Sequence, residues 1–446
     1  MATELRQENS YRTAFQTLQE SQPESSVSWL ARLRESAMDS LQELGFPSTR
    51  NEEWKYTNVA PITKAAFQPQ KPAVAAANEL GANELAGFSV AEAEKSQLVF
   101  VNGVLRDDLS SLTALPQEVV AIDLSRAIAD ERYSEVVRRH LAREADYVAH
   151  SFIALNTAFI SGGAFVFIPK GVVVQAPIHL LFLSEGNRTA SFPRVLVVAE
   201  ANSNATLVES YVGTDAGEYF TNAVVEIVLR EGAGLEHYKV QRESVEAFHV
   251  AATVADLGPN SRYDSTVVTF GGEISRHDIN VTMDHDGAEC WVDGLYLVTT
   301  AQHTDTHSVI DHRKPHCTSH QLYKGILDGK SRAVFNGKIF VRHDAQKTDA
   351  MQTNKNLLLS NEARVDTKPQ LEILADDVKC AHGAAVGQID QDELFYLETR
   401  GIHYDLARNL LTYGFAEEVI GKIKIESIRQ QLDEAVLHRL NARLEV

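Results

Sequence analysis

Residues 376–388 read DDVKCAHGAAVGQ, and the predicted architecture changes at this stretch. The residues before it form a long run of short, β-branched segments separated by turn residues, whereas the residues after it follow helical spacing. Cys380 and His382 lie two residues apart at this joint. In an extended backbone, side chains two residues apart project from the same face, so the thiol and the imidazole are expected to address one shared point.

The pair of Cys380 and His382 has two interpretations. A soft sulfur and an imidazole nitrogen together suit zinc, copper or iron–sulfur chemistry. The alternative is that Cys380 packs as a small hydrophobic residue while His382 stands exposed at a strand end, because free cysteines are often simply buried. Spacing alone leaves both interpretations open.

An internal repeat precedes this stretch. A pattern of glycine or asparagine, then alanine or serine, then any residue, then an apolar residue recurs at steps of 28, 28 and 27 residues. Its copies are 204–207, 232–235, 260–263 and 287–290, with looser echoes at 330–333 and 362–365. Short strands and tight turns at a fixed period are typical of a solenoid, and the lack of helical spacing within the period favours a β-helix. A β-sandwich with regular hairpins is the competing fold.

Three helices are predicted after the joint. Asp390 is placed to cap the first helix, Gly401 to end it, and Gly414 to end the second. The last helix carries an apolar stripe at four-residue steps, formed by Ile428, Leu432, Val436 and Leu440. A unit of this size rarely buries enough surface to stand alone, so part of it is expected to pack on the end of the solenoid.

The N-terminal region is predicted to be helical to about residue 60. Trp54 and Tyr56 are expected to pin their segment to the main body, because large aromatic side chains need a docking surface. Residues 68–87 have the composition of a linker, and an Asn-Gly turn at 102–103 is expected to join two short strands. The predicted domains are an N-terminal helical domain with linker (1–95), a β-helix core (96–387) with a helical insert near 131–160, and a C-terminal helical domain (388–446).

Composition narrows the class of protein. The chain has 446 residues, with 42 basic against 61 acidic side chains and a net charge of −19. This balance argues against binding to nucleic acid or to an anionic membrane surface. No apolar run is long enough to span a bilayer, and the first residues have neither a signal core nor transit-peptide character. With only three cysteines, the chain is expected to work in the reducing cytoplasm.

Two other segments invite a chemical interpretation. His303, Asp305 and His307 alternate and are expected to share one strand face, but no spacing within 303–320 matches a closed zinc site, so a solvated, histidine-rich face is favoured. Residues 325–331 resemble a phosphate loop, yet only three residues separate the glycines and a strand follows, so nucleotide hydrolysis is rejected. No hydrolase elbow, zinc-protease motif or dinucleotide fingerprint is found, and no catalytic residue is assigned.

A long, ordered series of motifs over residues 311–420 resembles a known family. The series is YKGIL at 323–327, FNGKI at 335–339, AQKTDA at 345–350, NLLLS at 356–360, VDTKPQLEI at 365–373, DVKCAHG at 377–383 and LFYL at 394–397, with EEWKYT at 52–57 as a second anchor. This is similar to the SufB/SufD family of iron–sulfur cluster assembly proteins. The Cys-x-His-Gly form at 380–383, the helical N-terminus and the low cysteine count resemble the SufD branch rather than the SufB branch.

The resemblance implies a fold and a role. The fold is mainly β, a right-handed parallel β-helix flanked by N-terminal and C-terminal α-helical domains. The role is that of a non-catalytic scaffold subunit, supporting iron acquisition and de novo cluster assembly, which pairs with SufB through the β-helix in a complex with two copies of the ATPase SufC. His382, with Cys380 as its neighbour, is implied to lie at the SufB interface, where an iron–sulfur cluster is held transiently and shared. SufC is implied to dock on the C-terminal helices, with candidate contacts Leu394, Phe395, Leu406, Leu410, Phe415 and Ile420.

A different class of function remains open from the fold alone. A solitary β-helix enzyme acting on a polysaccharide needs a groove lined by paired acidic side chains. Nothing in the sequence singles out such a pair. The resemblance implies no nucleotide bound by this chain, and the sequence has no flavin fingerprint.

Overall fold

The computed structural model describes residues 2–20, 28–65, 67–69, 85, 87–213 and 217–440, so most of the predicted linker at 68–87 lies outside the described residues. The helices in these ranges are α1 (Ala2–Glu20), α2 (Ser28–Leu44), α3 (Ala60–Lys64), α4 (Leu124–Ala129), α5 (Ser134–His140), α6 (Ser151–Ala158), α7 (Gln391–Thr399), α8 (Tyr404–Ile420) and α9 (Glu426–Arg439). No helix in the described ranges is long and apolar enough to cross a membrane.

The strands occupy the centre of the chain. They are β1 (Gln68–Pro69), β2 (Gln97–Val101), β3 (Val104–Leu105), β4 (Val120–Asp123), β5 (Ala164–Ile168), β6 (Ile178–Ser184), β7 (Thr189–Ser191), β8 (Arg194–Ala199), β9 (Asn204–Gly213), β10 (Phe220–Leu229), β11 (Gly234–Arg242), β12 (Phe248–Leu257), β13 (Arg262–Thr269), β14 (Ile274–Met283), β15 (Glu289–Val298), β16 (His303–His312), β17 (Thr318–Leu327), β18 (Arg332–Val341), β19 (Asp349–Leu358), β20 (Arg364–Ile373) and β21 (Lys379–Gly387).

From β8 onward the chain alternates between two parallel sheets. The first sheet runs in the order β4-β5-β8-β10-β12-β14-β16-β18-β20, and β7, itself paired with β1, also pairs with β10. The second sheet runs in the order β3-β2-β6-β9-β11-β13-β15-β17-β19-β21. Each turn of the chain therefore adds one strand to each sheet, which is a parallel β-solenoid. The predicted β-helix is confirmed, and the β-sandwich is excluded because its strands would pair antiparallel.

The sequence repeat marks the turns that precede β9, β11, β13 and β15 of the second sheet. Asn202, Gly232, Asn260 and Gly287 all have left-handed backbone, with φ of 57°, 64°, 52° and 73°. The following residue is small and buried in each copy, because the chain enters the interior there. In the strand ladder Asn204 pairs with Gly234, which lies two residues after Gly232. The residue equivalent to Gly232 is therefore Asn202, and the first copy of the repeat begins there, two residues earlier than the spacing predicted. The echoes at 330–333 and 362–365 belong to the first sheet, where they lead into β18 and β20.

Apolar side chains from both sheets fill much of the solenoid interior, and helices cover parts of its outer faces. The N-terminal helices α1, α2, α3 and α6 pack on the outer face of the first sheet, against Phe220, Phe248 and Ile274. The C-terminal helices α8 and α9 pack on the outer face of the second sheet. The helical insert near 131–160 consists of two short helices, α5 and α6, separated by a turn.

Two features of the C-terminal helices differ from the prediction. Asp390 caps α7 as expected, accepting hydrogen bonds from the backbone N–H groups of Asp392 and Glu393, but α8 continues through Gly414 to Ile420. The helix continues because the residues after Gly414 form part of its buried face. The free energy gained by burying them exceeds the roughly 1 kcal/mol that a glycine costs within a helix. The helices also lie along the flank of the solenoid instead of on its end, so the last coil is left open.

Candidate functional site

The open end of the solenoid is formed by β20 and β21. Each of these strands is paired on one side only, β20 with β18 and β21 with β19, and nearly all of their residues are half-buried or exposed. The other edge of each strand carries backbone groups that have no strand partner among the described residues. Unprotected parallel edges of this length are templates for pairing with another chain.

Cys380 and His382 lie on β21 at this open end. Cys380 stands beside Ala350 in the ladder, and His382 stands beside Gln352, both of which are buried residues of the solenoid interior. Cys380 itself packs partly against the interior core, whereas His382 is exposed. The predicted extended backbone is confirmed, and both side chains belong to the face that continues the interior beyond its last full coil.

The three cysteines are in different environments. Cys290 and Cys317 are buried in the interior, and burial raises the pKa of both thiols. Cys317 follows the left-handed residue His316, so it is the small buried residue of the sequence repeat. Cys380 is the partly exposed member of the set, and burial together with the charge of Asp349 raises the pKa of its thiol. At neutral pH this thiol is therefore protonated until a metal ion or a base displaces the proton.

Cys380 and His382 offer a sulfur and a nitrogen donor of the kinds that iron–sulfur centres use. Within the described part of the chain, no group of three or more histidine, cysteine, aspartate or glutamate side chains is arranged to hold a metal ion. An iron–sulfur centre is commonly bound by four protein ligands. Cys380 and His382 therefore supply too few ligands among the described residues to complete such a centre by themselves.

The histidine-rich segment has a structural environment that differs from the prediction. His303, Asp305 and His307 share one face of β16 as predicted, but His307 and His312 are buried, so the expected solvated face is wrong for them. His312 lies 2.8 Å from the Ser319 hydroxyl inside the solenoid. The sequence could not show the burial of His307, because the segment that covers the outer face there lies about 250 residues away in the chain.

That covering segment is residues 52–57, called the arm below. The Trp54 ring lies under the Arg276 guanidinium, 3.7 Å from carbon to ring centroid, and the Thr57 hydroxyl contacts Asp305. Glu53 lies 3.2 Å from His307 Nδ1, and Glu52 pairs with Lys368 of β20 at 3.0 Å. The predicted pinning role of Trp54 is confirmed, and the arm extends across four strands of the first sheet, from β14 to β20.

Under the arm, Asp305 and His307 each stabilise the charged form of the other. Burial alone would lower the pKa of His307, but the negative charge of Asp305, which lies 3.0 Å from Nε2, and the hydrogen bonds to Asp305 and Glu53 outweigh it and raise the pKa to about 9. The pKa of Asp305 is lowered, because the charges of Arg276 and His307 outweigh its burial. His307 is therefore a cation at neutral pH, held between two carboxylates.

The contribution of His307 to the stability of the folded chain is expected to fall as the pH rises toward 9. Charged His307 contributes fully below its unfolded-state pKa of 6.5, and this contribution disappears as the pH rises through about 9. The loss is on the order of 1–3 kcal/mol, since one pKa unit corresponds to about 1.4 kcal/mol. Urea unfolding from pH 6 to 9.5 measures it: the stability difference between wild type and His307→Gln should shrink over this range, while His343→Gln, at an exposed histidine, should follow wild type. Equal slopes in all three chains would refute this role for His307.

Sequence reasoning missed a cluster of charged side chains sealed inside the solenoid. It is formed by Glu209, Tyr211, His237, Lys239, Glu243 and His249. Glu209 lies 2.7 Å from His237 Nε2, and burial lowers the pKa of Lys239 to about 8. The alternation of β11 would have revealed this cluster, because His237 and Lys239 follow the interior residue Leu235 at two-residue steps. The two glutamates are enclosed, so they do not supply the open acidic groove that a polysaccharide-active enzyme requires.

The predicted docking residues of the C-terminal helices fall into two groups. Leu394 and Ile420 are buried within this chain, so neither presents a surface to a partner. Leu406, Leu410 and Phe415 are partly buried, and Phe395 is 66% exposed. A groove of about 270 Å³, which the sequence did not predict, lies between the last coil and these helices and is lined in part by Lys355, Gln388, Leu411 and Phe415.

Comparison with known proteins covers nearly the whole chain. The family model described as "SUF system FeS cluster assembly, SufBD core domain" matches residues 182–415, and that of the "SufBD protein N-terminal region" matches residues 5–180. An iron–sulfur cluster assembly SufBD family protein of Synechocystis is 37% identical over 418 residues, covering 91% of this chain and 90% of the relative. The iron–sulfur cluster assembly protein SufD of Escherichia coli is 32% identical, covering 92% of each chain, and SufD of Bacillus subtilis is 28% identical, covering 97% and 98%.

Proposed function

The chain belongs to the SufBD family of iron–sulfur cluster assembly proteins, and we propose that it is a SufD-type scaffold subunit without catalytic activity of its own. It pairs with SufB, docks the ATPase SufC and supports iron acquisition and cluster assembly in the cytoplasm. The cluster is the cargo of this complex, shared transiently with SufB, and the chain itself binds no nucleotide.

The observation that carries the proposal is the open end of the solenoid. Both sheets finish in strands whose outer edges lack a partner in the described structure, and the Cys380–His382 pair lies on one of them. Pro369 lies within β20, and proline within a sheet is found on edge strands because it has no N–H to donate. A SufB chain with its own exposed strands would continue both sheets and would bring its ligands next to Cys380 and His382.

The chemistry of the shared site follows from the two donors. His382 supplies a ring nitrogen, and Cys380 supplies a sulfur that binds iron only as the thiolate. Because burial and Asp349 raise the pKa of that thiol, iron must displace a proton to bind it, and its affinity falls as the pH falls. A weak, proton-linked ligand beside a histidine suits a cluster that is built here and then passed on.

SufC is proposed to bind the exposed side of α7 and α8. Phe395 and Tyr396 of α7 and Tyr404 of α8 are exposed aromatic residues of these helices. Leu406, Leu410 and Phe415 are retained as contacts, whereas Leu394 and Ile420 act by holding the helices in place. Only three residues separate β21 from α7, so SufC would bind to the segment of the chain that directly follows the strand carrying His382.

Co-expression with SufB and SufC tests the scaffold role. We expect a tag on this chain to recover both partners in a stable complex, and residue-specific crosslinking to join β20 and β21 to SufB. An enzyme acting on polysaccharide would be recovered alone. Recovery of this chain without SufB, or crosslinks to SufB confined to residues 1–60, would refute the proposal.

Phe395→Asp is expected to weaken SufC binding at least about tenfold without unfolding the chain, because a charge replaces an exposed aromatic anchor. Calorimetric titration with SufC measures the loss. Val148→Asp, at a residue that is 62% exposed in the N-terminal half, is the matched control and should bind normally. Truncation after Gln388 is not a suitable test, because the C-terminal helices bury apolar residues of the second sheet, among them Tyr238, Val268 and Leu295. Removing the helices would expose these residues to water and disturb the fold as well as SufC binding. Unchanged affinity in Phe395→Asp would place the SufC surface elsewhere.

A further inference from the structure

A ladder of polar side chains leads from the interior of the solenoid to His382. Gln321 of β17 pairs in register with Gln352 of β19, and Gln352 pairs in register with His382 of β21. All three residues belong to the inward face of the second sheet. Gln321 and Gln352 are 3% and 1% exposed, so the ladder is buried up to its last member.

Hydrogen bonds hold the amide of Gln352 in one orientation. Its Nε2 donates to Gln321 Oε1 at 2.7 Å, and Gln321 Nε2 in turn donates to the Ser308 hydroxyl at 2.8 Å. Gly337 leaves room for this amide, because a Cβ there would come within 2.3 Å of Gln352 Nε2. The Nε2 of Gln352 therefore points toward Gln321 in the interior of the solenoid.

The acceptor side of Gln352 is left open. Its Oε1 is buried and has no hydrogen-bond partner among the described residues. A buried amide oxygen without a partner costs about 1–3 kcal/mol, so such groups are rare unless something else satisfies them. The next side chain on the same face is His382, which is exposed, and neighbouring strands are about 4.8 Å apart.

We propose that Gln352 is a positioning residue for His382: its Oε1 accepts a hydrogen bond from one ring N–H of His382 and so selects one tautomer. The other ring nitrogen then keeps its lone pair toward the open end, ready to bind iron. Metal-binding histidines generally hold their second N–H in this way. The significance for cluster assembly rests on the proposed function, whereas the hydrogen bond and the tautomer do not.

The tautomer is measured on the full chain without any cluster. The ring nitrogens are labelled with ¹⁵N-histidine, spectra are recorded above the pH at which the ring signals titrate, and His382→Gln identifies the His382 signals. Wild type should show one tautomer, with two widely separated ring-nitrogen shifts. Gln352→Met, which keeps the length but loses the acceptor, should show averaged shifts for His382 alone. Gln352→Leu, which also lacks the acceptor, should show the same averaging.

Each outcome decides the inference. Averaged shifts in wild type, or the same single tautomer in Gln352→Met, would overturn it. If Gln352→Met does not fold, Gln352→Leu decides: one fixed tautomer of His382 there would also overturn it. In the reconstituted complex, Gln352→Met should slow cluster accumulation several-fold, a smaller effect than the loss of His382. A fixed tautomer together with normal cluster content in a His382 variant would refute the proposed role of His382 as a cluster ligand while leaving this inference standing.

Discussion

His382→Ala is expected to lower the iron and sulfide content of the reconstituted complex with SufB and SufC at least about tenfold, since loss of groups around a metal site commonly costs 10–100-fold in affinity. The chain should fold and assemble normally, because His382 is exposed and makes no hydrogen bond in the described structure. Its neighbour on the strand ladder, Gln352, is held from the other side by Gln321. The expected defect is therefore in the site and not in the fold.

The measurement is anaerobic reconstitution of the purified complex, followed by iron and sulfide analysis and absorption spectroscopy. His343→Ala is the matched control, because its imidazole is also exposed but lies in the turn before β19. Cys380→Ala is expected to lower cluster content less, since its thiol is protonated at neutral pH and is the weaker donor. Wild-type iron and sulfide content in His382→Ala would show that the cluster does not use this histidine.

Arg194→Met is expected to lower the free energy of unfolding by about 3–5 kcal/mol, because it leaves a buried carboxylate without its cation. Arg194 and Glu226 are both fully buried and form an ion pair between β8 and β10. Arg194 also donates to Asn156 Oδ1 and Thr157 Oγ1 of α6, at 3.0 and 3.1 Å. This side chain ties the N-terminal helices to the first sheet.

Urea unfolding at neutral pH measures the effect of Arg194→Met. The matched control is Arg132→Met, because Arg132 pairs with Asp130 on the surface with its side chain 74% exposed. Exposed pairs of this kind contribute about 0–1 kcal/mol, so the control should unfold almost as wild type does. A loss below about 1 kcal/mol in Arg194→Met would mean that Glu226 becomes protonated or solvated at little cost.

Much of the fold was predictable because its signals are local. The Asn or Gly of the repeat marks a left-handed turn, and the small residue after it marks the entry into the interior, so the period is visible without any long-range information. Asp390 was recognisable as a helix cap for the same reason, since a cap depends on the next three residues. The prediction that Gly414 ends a helix was wrong. A helix continues through a glycine when the free energy gained by packing the following residues exceeds the low helix propensity of that glycine.

By itself, the sequence determined the solenoid, the strand that carries Cys380 and His382, and the family, since each of these is written in neighbouring residues or in an ordered series of motifs. Only the tertiary structure decided which surfaces are covered. The C-terminal helices cover the flank of the second sheet and leave the last coil open, and the arm buries His307 under Glu53 from about 250 residues away. Burial of this kind depends on which distant segments pack together, and the alternation within one strand cannot encode the partner that will cover it.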